Sequence, residues 1–327
     1  MHHYCTLFDI HYAARALALA SSLVRHGGDF VLHALCLDEA SERLIRGLGD
    51  PRIAAIGLAE LERGDPRLPV ARANRGWVDY CFTLSPFLPL HLLRKHPEIP
   101  LVVFVDADCH FHASPRSIFD AFGDDSILVV EHRFAADRQS SLQFGRYNVG
   151  ILLFRNDAEG LACLHRWAGQ CSEWCHDRVE EGRFADQRYL DDWPEVFRGV
   201  HVLGHVGVNL APWNAGNFRL RRAHGRLWVD DAPLVMYHFH GLQFPEPGRY
   251  WPSSTVEGFG PEHIRWLYQP YVRGLARLAA RHRIPIGRSL RFRPPDAFAR
   301  GLRCGTPAPL SWIDDRLAAR RWRTRSG

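Results

Sequence analysis

Short apolar runs alternate with longer stretches of helical spacing through the first hundred residues. YCTLF (4–8), FVLHALCL (30–37) and RIAAIGL (52–58) read as strands, and YAARALALASSLV (12–24) and ASERLIRGL (40–48) between them read as amphipathic helices. This alternation is the signature of βαβ units and a mostly parallel sheet. LVVFV (101–105) is then the next strand, buried on both faces. Before it, SPFLPLHLLRKHPE (85–98) predicts a helix with a proline in its first turn, and after it SPRSIFDAF (114–122) predicts one capped by Ser114 with Pro115 at its first position. SILVVEHRF (126–134) and YNVGILLFR (147–155) are the next apolar runs, and a long helix is expected over about 157–181. The pieces that follow, from GRFADQRYLDDWP to PLVMYHFHG, are shorter and interrupted by polar residues, as in mixed sheet and loop wrapping the parallel half. Pro245, Pro247 and Pro252 mark a boundary, beyond which a helix over about 261–283 leads to a basic tail. The expected organisation is an α/β domain over 1–250, with a Rossmann-like, mostly parallel central sheet, flanking helices and a small mixed-sheet half. A helical, Arg-rich appendage over 251–327 follows.

Composition adds limits. The 327 residues, 46% hydrophobic and 24% charged, suffice for one substantial core. No apolar run approaches the roughly 18 to 20 residues that cross a bilayer. The opening MHHYCTLFDIHY lacks the charged-then-apolar pattern of a secretory signal, so a cytoplasmic location is expected. Eight scattered cysteines, several in apolar segments, suit reduced core thiols. Cys171, Cys175 and His176 lie in a predicted helix with no second Cys or His pair to complete a zinc site. From Arg288 onward there are ten arginines against Asp296, Asp314 and Asp315, a balance of +7 within a total of +5, so the body carries about −2. With Phe292, Phe298, Trp312 and Trp322 interleaved, this tail has the makeup of a peripheral contact with the inner, anionic face of a membrane; a solvated terminus has the same composition. No nucleic-acid-binding signature accompanies the arginines.

The chemistry concentrates at Asp106 and Asp108, directly after LVVFV. If the extended conformation persists, both carboxylates point the same way. Two like charges then share one small region, which is costly unless a cation or a proton sits between them. One reading is a divalent-cation clamp, and the other is a solvated loop with two ordinary acidic residues. Open α/β sheets gather ligands at the carboxyl ends of their strands, which favours the clamp.

Five segments in one order carry a resemblance: FDIHY (8–12), VDAD (105–108), YNVGILLFRN (147–156), ADQRYL (185–190) and HFHG (238–241). Together, across about 240 of the 327 residues, they resemble the GT-A fold nucleotide-sugar glycosyltransferases of family 8, which includes glycogenin and bacterial lipooligosaccharide galactosyltransferases. The resemblance implies that 1–250 is a GT-A transferase domain. Asp9, His11 and Tyr12 match the family's nucleoside-binding D-D-N-Y. Asp106 and Asp108 match its metal-binding D-x-D, and His238 matches the third ligand, with His240 in reserve. Asn148, with Gly150 allowing close approach, matches the residue beside the donor sugar. Gln187 would lie near the anomeric carbon, with Asp186 orienting it or contacting a donor hydroxyl.

The implied cofactor is Mn²⁺ or Mg²⁺, and the implied partners are a nucleotide sugar, uridine favoured, and a saccharide or lipid-linked acceptor. The implied reaction is a hexosyl transfer that retains configuration by front-side, leaving-group-assisted substitution; for an inverting enzyme Asp191, Asp192 and Glu131 are the candidate bases. APWNAGNF (211–218), with Trp213, suits a sugar, and a turn around a core tryptophan would look the same. The family's K-P-W after the last histidine is replaced by LQFPEPGRYWP, so the basic diphosphate contact is unassigned, with Arg249 a candidate.

Two alternatives stand beside this one. A metal-dependent phosphohydrolase would use Asp106 as nucleophile and Asp108 as acid, but its D-x-D-x-T or D-x-D-x-V would lie on the first strand, whereas Cys109 and His110 follow here after three βαβ-like units. A non-catalytic nucleotide-sugar binder at a membrane surface would make the basic tail its working part.

Overall fold

The computed structural model describes residues 1–244, 250–253 and 259–286. Pro245, Pro247, Arg249 and the Arg-rich tail lie outside the described residues. The chain starts as its pattern predicts: β1 (His2–Phe8), α1 (Ala13–His26), β2 (Phe30–Cys36), α2 (Glu39–Gly47) and β3 (Ile53–Gly57). Three helices follow, α3 (Leu58–Gly64), α4 (Arg67–Ala73) and α5 (Trp77–Lys95), and lead into β4 (Leu101–Val105) and β5 (Cys109–Phe111). Then come α6 (Arg116–Phe122), β6 (Ile127–Glu131), β7 (Tyr147–Arg155), α7 (Ala158–Glu173) and β8 (Val200–Val202). The last strands are β9 (Leu220–Ala223), β10 (Arg226–Val229), β11 (Ala232–Pro233) and β12 (Met236–His238).

Seven strands form the central sheet in the order β3-β2-β1-β4-β7-β6-β8. β1 lies parallel to β2 and β4, and β2–β3 and β6–β8 are parallel as well. β7 runs antiparallel between β4 and β6. Alternation divides the core between the two faces. Val102, Phe104, Leu152 and Phe154 pack with Leu84 and Leu88 of α5 and Trp167 of α7. Val103, Val105, Ile151 and Leu153 pack with Leu19 and Leu23 of α1 and with Ile118 and Phe122 of α6. Each such side chain contributes about 1.5–3 kcal/mol by leaving water, which is why the central strands read as unbroken apolar runs. β9–β11 form a three-stranded antiparallel sheet, and β5–β12 an antiparallel pair. The helix Gln269–His282 runs on from a π-turn at Ile264–Tyr268, and Tyr268, Tyr271 and Leu275 share a core with Ala14 and Ala18 of α1, Tyr237 and Phe239.

Two helix boundaries differ from expectation for tertiary reasons. α5 begins at Trp77, so Pro86 and Pro89 lie within it rather than in its first turn. Each removes one intrahelical donor, from the carbonyls of Phe82 and Ser85, and burial of this segment holds the helix together across the gap. α7 stops at Glu173, well before position 181, because Asp79 of α5 captures the chain beyond it: its carboxylate accepts from Asp177 N at 3.0 Å and from His176 Nδ1 at 2.9 Å.

The chain leaves β1 toward β2 and β3, then returns to β4 on the other side. That reversal opens a crevice at the carboxyl ends of β1 and β4. Residues 9–12 and 106–108 meet there.

Candidate active site

β4 ends at Val105, so the two aspartates do not continue an extended strand. Cys109 N donates to Asp106 O at 3.0 Å across a turn, and Asp106 N donates to Gly150 O at 3.1 Å. The turn, rather than strand alternation, aims both carboxylates at one point. β5 then pairs with β12 so that Cys109 stands opposite His238, while Phe239 N donates to Asp108 O at 2.9 Å. His238 Nε2 lies 3.2 Å from Asp108 Oδ1 and 3.6 Å from Asp106 Oδ2.

Cys109 belongs to the tight group formed with Asp108 and His238, all within 4.8 Å. Its thiol, however, points to Gly150 O at 3.4 Å, and burial raises it well above the usual thiol range, so Asp106 is the better third ligand.

Electrostatics follow from burial and this geometry. Burial pushes Asp106 up, against the pull of His238 and with the push of Asp108, to about 6. Asp108 also feels burial, but the charge and hydrogen bond of His238, with His240 and Arg15 behind, bring it down to about 2. Burial pulls His238 down, yet Asp108 and Asp106 raise it overall. The His238 ring thus stands where both carboxylates favour positive charge. Two carboxylates and an imidazole are a donor set for Mn²⁺ or Mg²⁺, the imidazole favouring Mn²⁺.

The ring of His238 is oriented from behind. Nδ1 donates to Asn209 Oδ1 at 3.3 Å, which leaves Nε2 to face the aspartates. Asn209 Nδ2 donates to Asn148 Oδ1 at 3.0 Å, and Asn148 Nδ2 donates both to Gln187 Oε1 at 2.9 Å and to His132 Nε2 at 3.2 Å. Gln187 Nε2 donates to Phe144 O at 2.8 Å. His132 is held neutral, lowered to about 3 chiefly by burial, and can therefore accept. Gly150 sits against this chain: a Cβ there would meet Asn148 Oδ1 at 2.5 Å and His238 Nδ1 at 2.6 Å. Asn148, Gly150, Gln187 and His238 are therefore one connected unit. Asp186 is buried beside it, raised to about 7 by burial, with Ser85 opposing and Asp106 adding to the rise.

At the end of β1, Asp9 Oδ1 accepts from His11 N and Tyr12 N, both at 3.0 Å, and so opens α1. His11 and Tyr12 are exposed, and the charges of Arg15, Asp108, Asp9 and Asp106 all act on the Tyr12 phenol. The 9–12 loop and the aspartate pair therefore share one neighbourhood. β12 ends at His238, so strand alternation does not extend to His240, whose exposed ring stands edge-on 5.6 Å from that of His238. Trp213 lies 5.3 Å from both rings and donates from Nε1 to His132 O at 3.0 Å. Glu131 pairs with Arg146 at 2.7 Å, Asp191 with Arg188, and Asp192 with Arg166. His110 turns toward Tyr271, with ring centroids 5.5 Å apart.

Sequence reasoning missed Asn209, His132 and Asp38. Asp38 Oδ2 accepts from Ile10 N at 2.9 Å while Oδ1 accepts from Ser41 N at 2.7 Å, tying the 9–12 loop to the start of α2. Its D-x-x-S spacing is a capping-box signal that could have found it. Two clefts elsewhere, of about 210 and 520 Å³, are lined by none of the predicted site residues.

This sheet order, with the aspartate turn at the end of β4 and a histidine strand laid beside it, defines an α/β protein of the GT-A fold resembling family 8. The structure of galactosyltransferase LgtC in complex with donor and acceptor sugar analogues matches 91% of this chain and 99% of its own, with a TM-score of 0.50 and 17% identity. In sequence, the uncharacterized protein YfnD of Bacillus subtilis (strain 168) is 30% identical over 278 residues, 84% of this chain and 89% of YfnD. The uncharacterized protein YfnF of the same organism is 33% identical over 248 residues, 73% of this chain and 81% of YfnF. The chain belongs to the family of YfnD and YfnF. No protein-family model matches it.

Proposed function

We propose that the protein is a glycosyltransferase that moves a sugar from a nucleoside-diphosphate sugar, uridine favoured, to a saccharide or lipid-linked acceptor. The observation that carries this reading is the convergence of Asp106, Asp108 and the Nε2 face of His238 beside the Asp9–Tyr12 loop. Asp106, Asp108 and His238 would hold Mn²⁺ or Mg²⁺, which when bound supplies Lewis-acid stabilisation of the charge on a departing diphosphate. Asp9 and Tyr12 receive the nucleoside, Tyr12 offering its ring to the base. The Asn148–Gln187 pair forms the floor beside the sugar, its amides locked in place by His132 and Phe144 O.

Retention is the favoured outcome. The bond from the anomeric carbon to the β-phosphate oxygen breaks, the acceptor oxygen bonds the same face, and the acceptor proton passes to the departing diphosphate. Asp186 is buried and averse to charge, and Gln187 is no nucleophile, so neither suits a covalent intermediate.

The test incubates the purified protein with a panel of nucleotide sugars and Mn²⁺ and follows nucleoside diphosphate release. Donor-selective, metal-dependent release that falls about 100- to 1,000-fold in Asp108→Asn is expected. Phosphate release from simple phosphomonoesters would support a phosphohydrolase instead. Binding without turnover, unchanged by Asp108→Asn, would sink both enzymatic readings.

A further inference from the structure

Among the described residues the donor reading leaves the diphosphate without an assigned cation, because the K-P-W lysine of the resembling family has no counterpart here and Arg249 lies outside them. Lys95, at the end of α5, pairs with Glu60 at 2.6 Å. Four arginines among the described residues near the crevice are also engaged. Arg146 holds Glu131 and Arg188 holds Asp191, Arg133 donates to the carbonyls of His205, Val208 and Asn209, and Arg75 donates to Thr83 and to the carbonyls of Cys171 and Ser172.

Arg15 differs from all of these. It sits in the first turn of α1 and is only 3% exposed, yet among the described residues no carboxylate lies within ion-pair distance of it. Of its five N–H donors one is engaged by a described residue, Nη2 to Leu242 O at 2.8 Å. The guanidinium stacks 4.3 Å from the Tyr12 ring and 5.6 Å from the Phe244 ring, between the nucleoside-type loop and the chain beyond His238. Its charge is felt at Asp108, Tyr12 and Tyr271. A buried guanidinium without a counter-ion is costly, and its planar fork is suited to gripping phosphate oxygens. Asp108 is the nearby anionic centre that would share a diphosphate with it through a metal ion, whereas a surface arginine would lie in water on the far side of α1.

We propose that Arg15 is the diphosphate-binding cation of this protein, reaching from α1 in place of a lysine after the last histidine. This rests on the donor reading above. The full chain is titrated by calorimetry, in Mn²⁺, with UDP, GDP, ADP, CDP and dTDP and with the corresponding monophosphates. Wild type, Arg15→Met and Arg15→Lys are compared, with Mn²⁺ binding alone as the check that the site is intact. The wild type is expected to bind its diphosphate, Arg15→Met to bind it about ten- to a hundredfold more weakly, and Arg15→Lys to fall between, with smaller losses for the monophosphate. Equal diphosphate affinity in wild type and Arg15→Met overturns the assignment of Arg15 and leaves the donor reading standing. A wild type that binds none of the five overturns the donor reading and the assignment with it. If Arg15→Met does not fold, Arg15→Lys decides: a lost fork weakens the diphosphate several-fold, and an unchanged affinity overturns the assignment.

Discussion

Replacing Asp186 by asparagine isolates the energetic consequence of burying an acid beside the aspartate pair. In the folded chain its carboxyl is raised from 3.8 to about 7, with burial the main cause. A rise of that size corresponds to roughly 4 kcal/mol between the two protonation states. The sign is fixed by linkage: between pH 4 and pH 7 the folded state keeps a proton that the unfolded state has released. Stability therefore falls as pH rises through that window and stays low above it. The amide introduced by Asp186→Asn cannot ionise and escapes the fall. In chelator-treated protein, urea unfolding from pH 4.5 to 8.5 should show the two proteins close together at the acid end. The Asp186→Asn variant should be more stable by about 1 to 4 kcal/mol at pH 8, the upper figure being the undamped shift. A gap that does not change with pH would refute the reasoning.

Other outcomes follow from the network behind His238. Asn209→Ala removes the acceptor of the Nδ1 hydrogen bond, and calorimetry should show Mn²⁺ affinity lowered about ten- to a hundredfold. Gly150→Ala drives a methyl group into Asn148 and His238, so about 1–3 kcal/mol of stability, read by urea unfolding, should be lost together with Mn²⁺ binding. Because Mn²⁺ must replace a proton on a His238 raised above 6.5, its affinity, followed by electron paramagnetic resonance, should fall about tenfold per pH unit as pH drops below the raised value.

The fold was legible where burial is two-sided or strictly periodic. β7 runs from Tyr147 to Arg155 as its apolar run reads, and the β1-α1-β2-α2-β3 opening follows from alternation alone. The ends of α5 and α7 were not legible, because a buried proline pair and a carboxylate on another helix decide them. In the site, Asp106, Asp108, Asn148, Gln187 and His238 could be singled out because each interrupts a recognisable segment in a fixed order. Asn209 could not: it lies in a short irregular stretch with positive φ (58°), and its importance comes from what stands opposite it in space. Arg15 reads as one polar position on an alanine-rich helix, and its burial comes from tertiary neighbours that include Tyr12, Leu242 and Phe244.

The β5–β12 ladder has a consequence for synthesis. Asp106 and Asp108 leave the ribosome more than a hundred residues before His238, following β1 to β4, four of the seven central strands, and the other three are also made before His238. Until Met236–His238 zips onto Cys109–Phe111, two carboxylates face each other without the imidazole that balances them. A partly made chain can therefore assemble its scaffold while the corner proposed to hold a cation is incomplete. If the corner holds a cation as proposed, competence to bind it would arrive only with β12, and the ion would report that nearly the whole domain has been built.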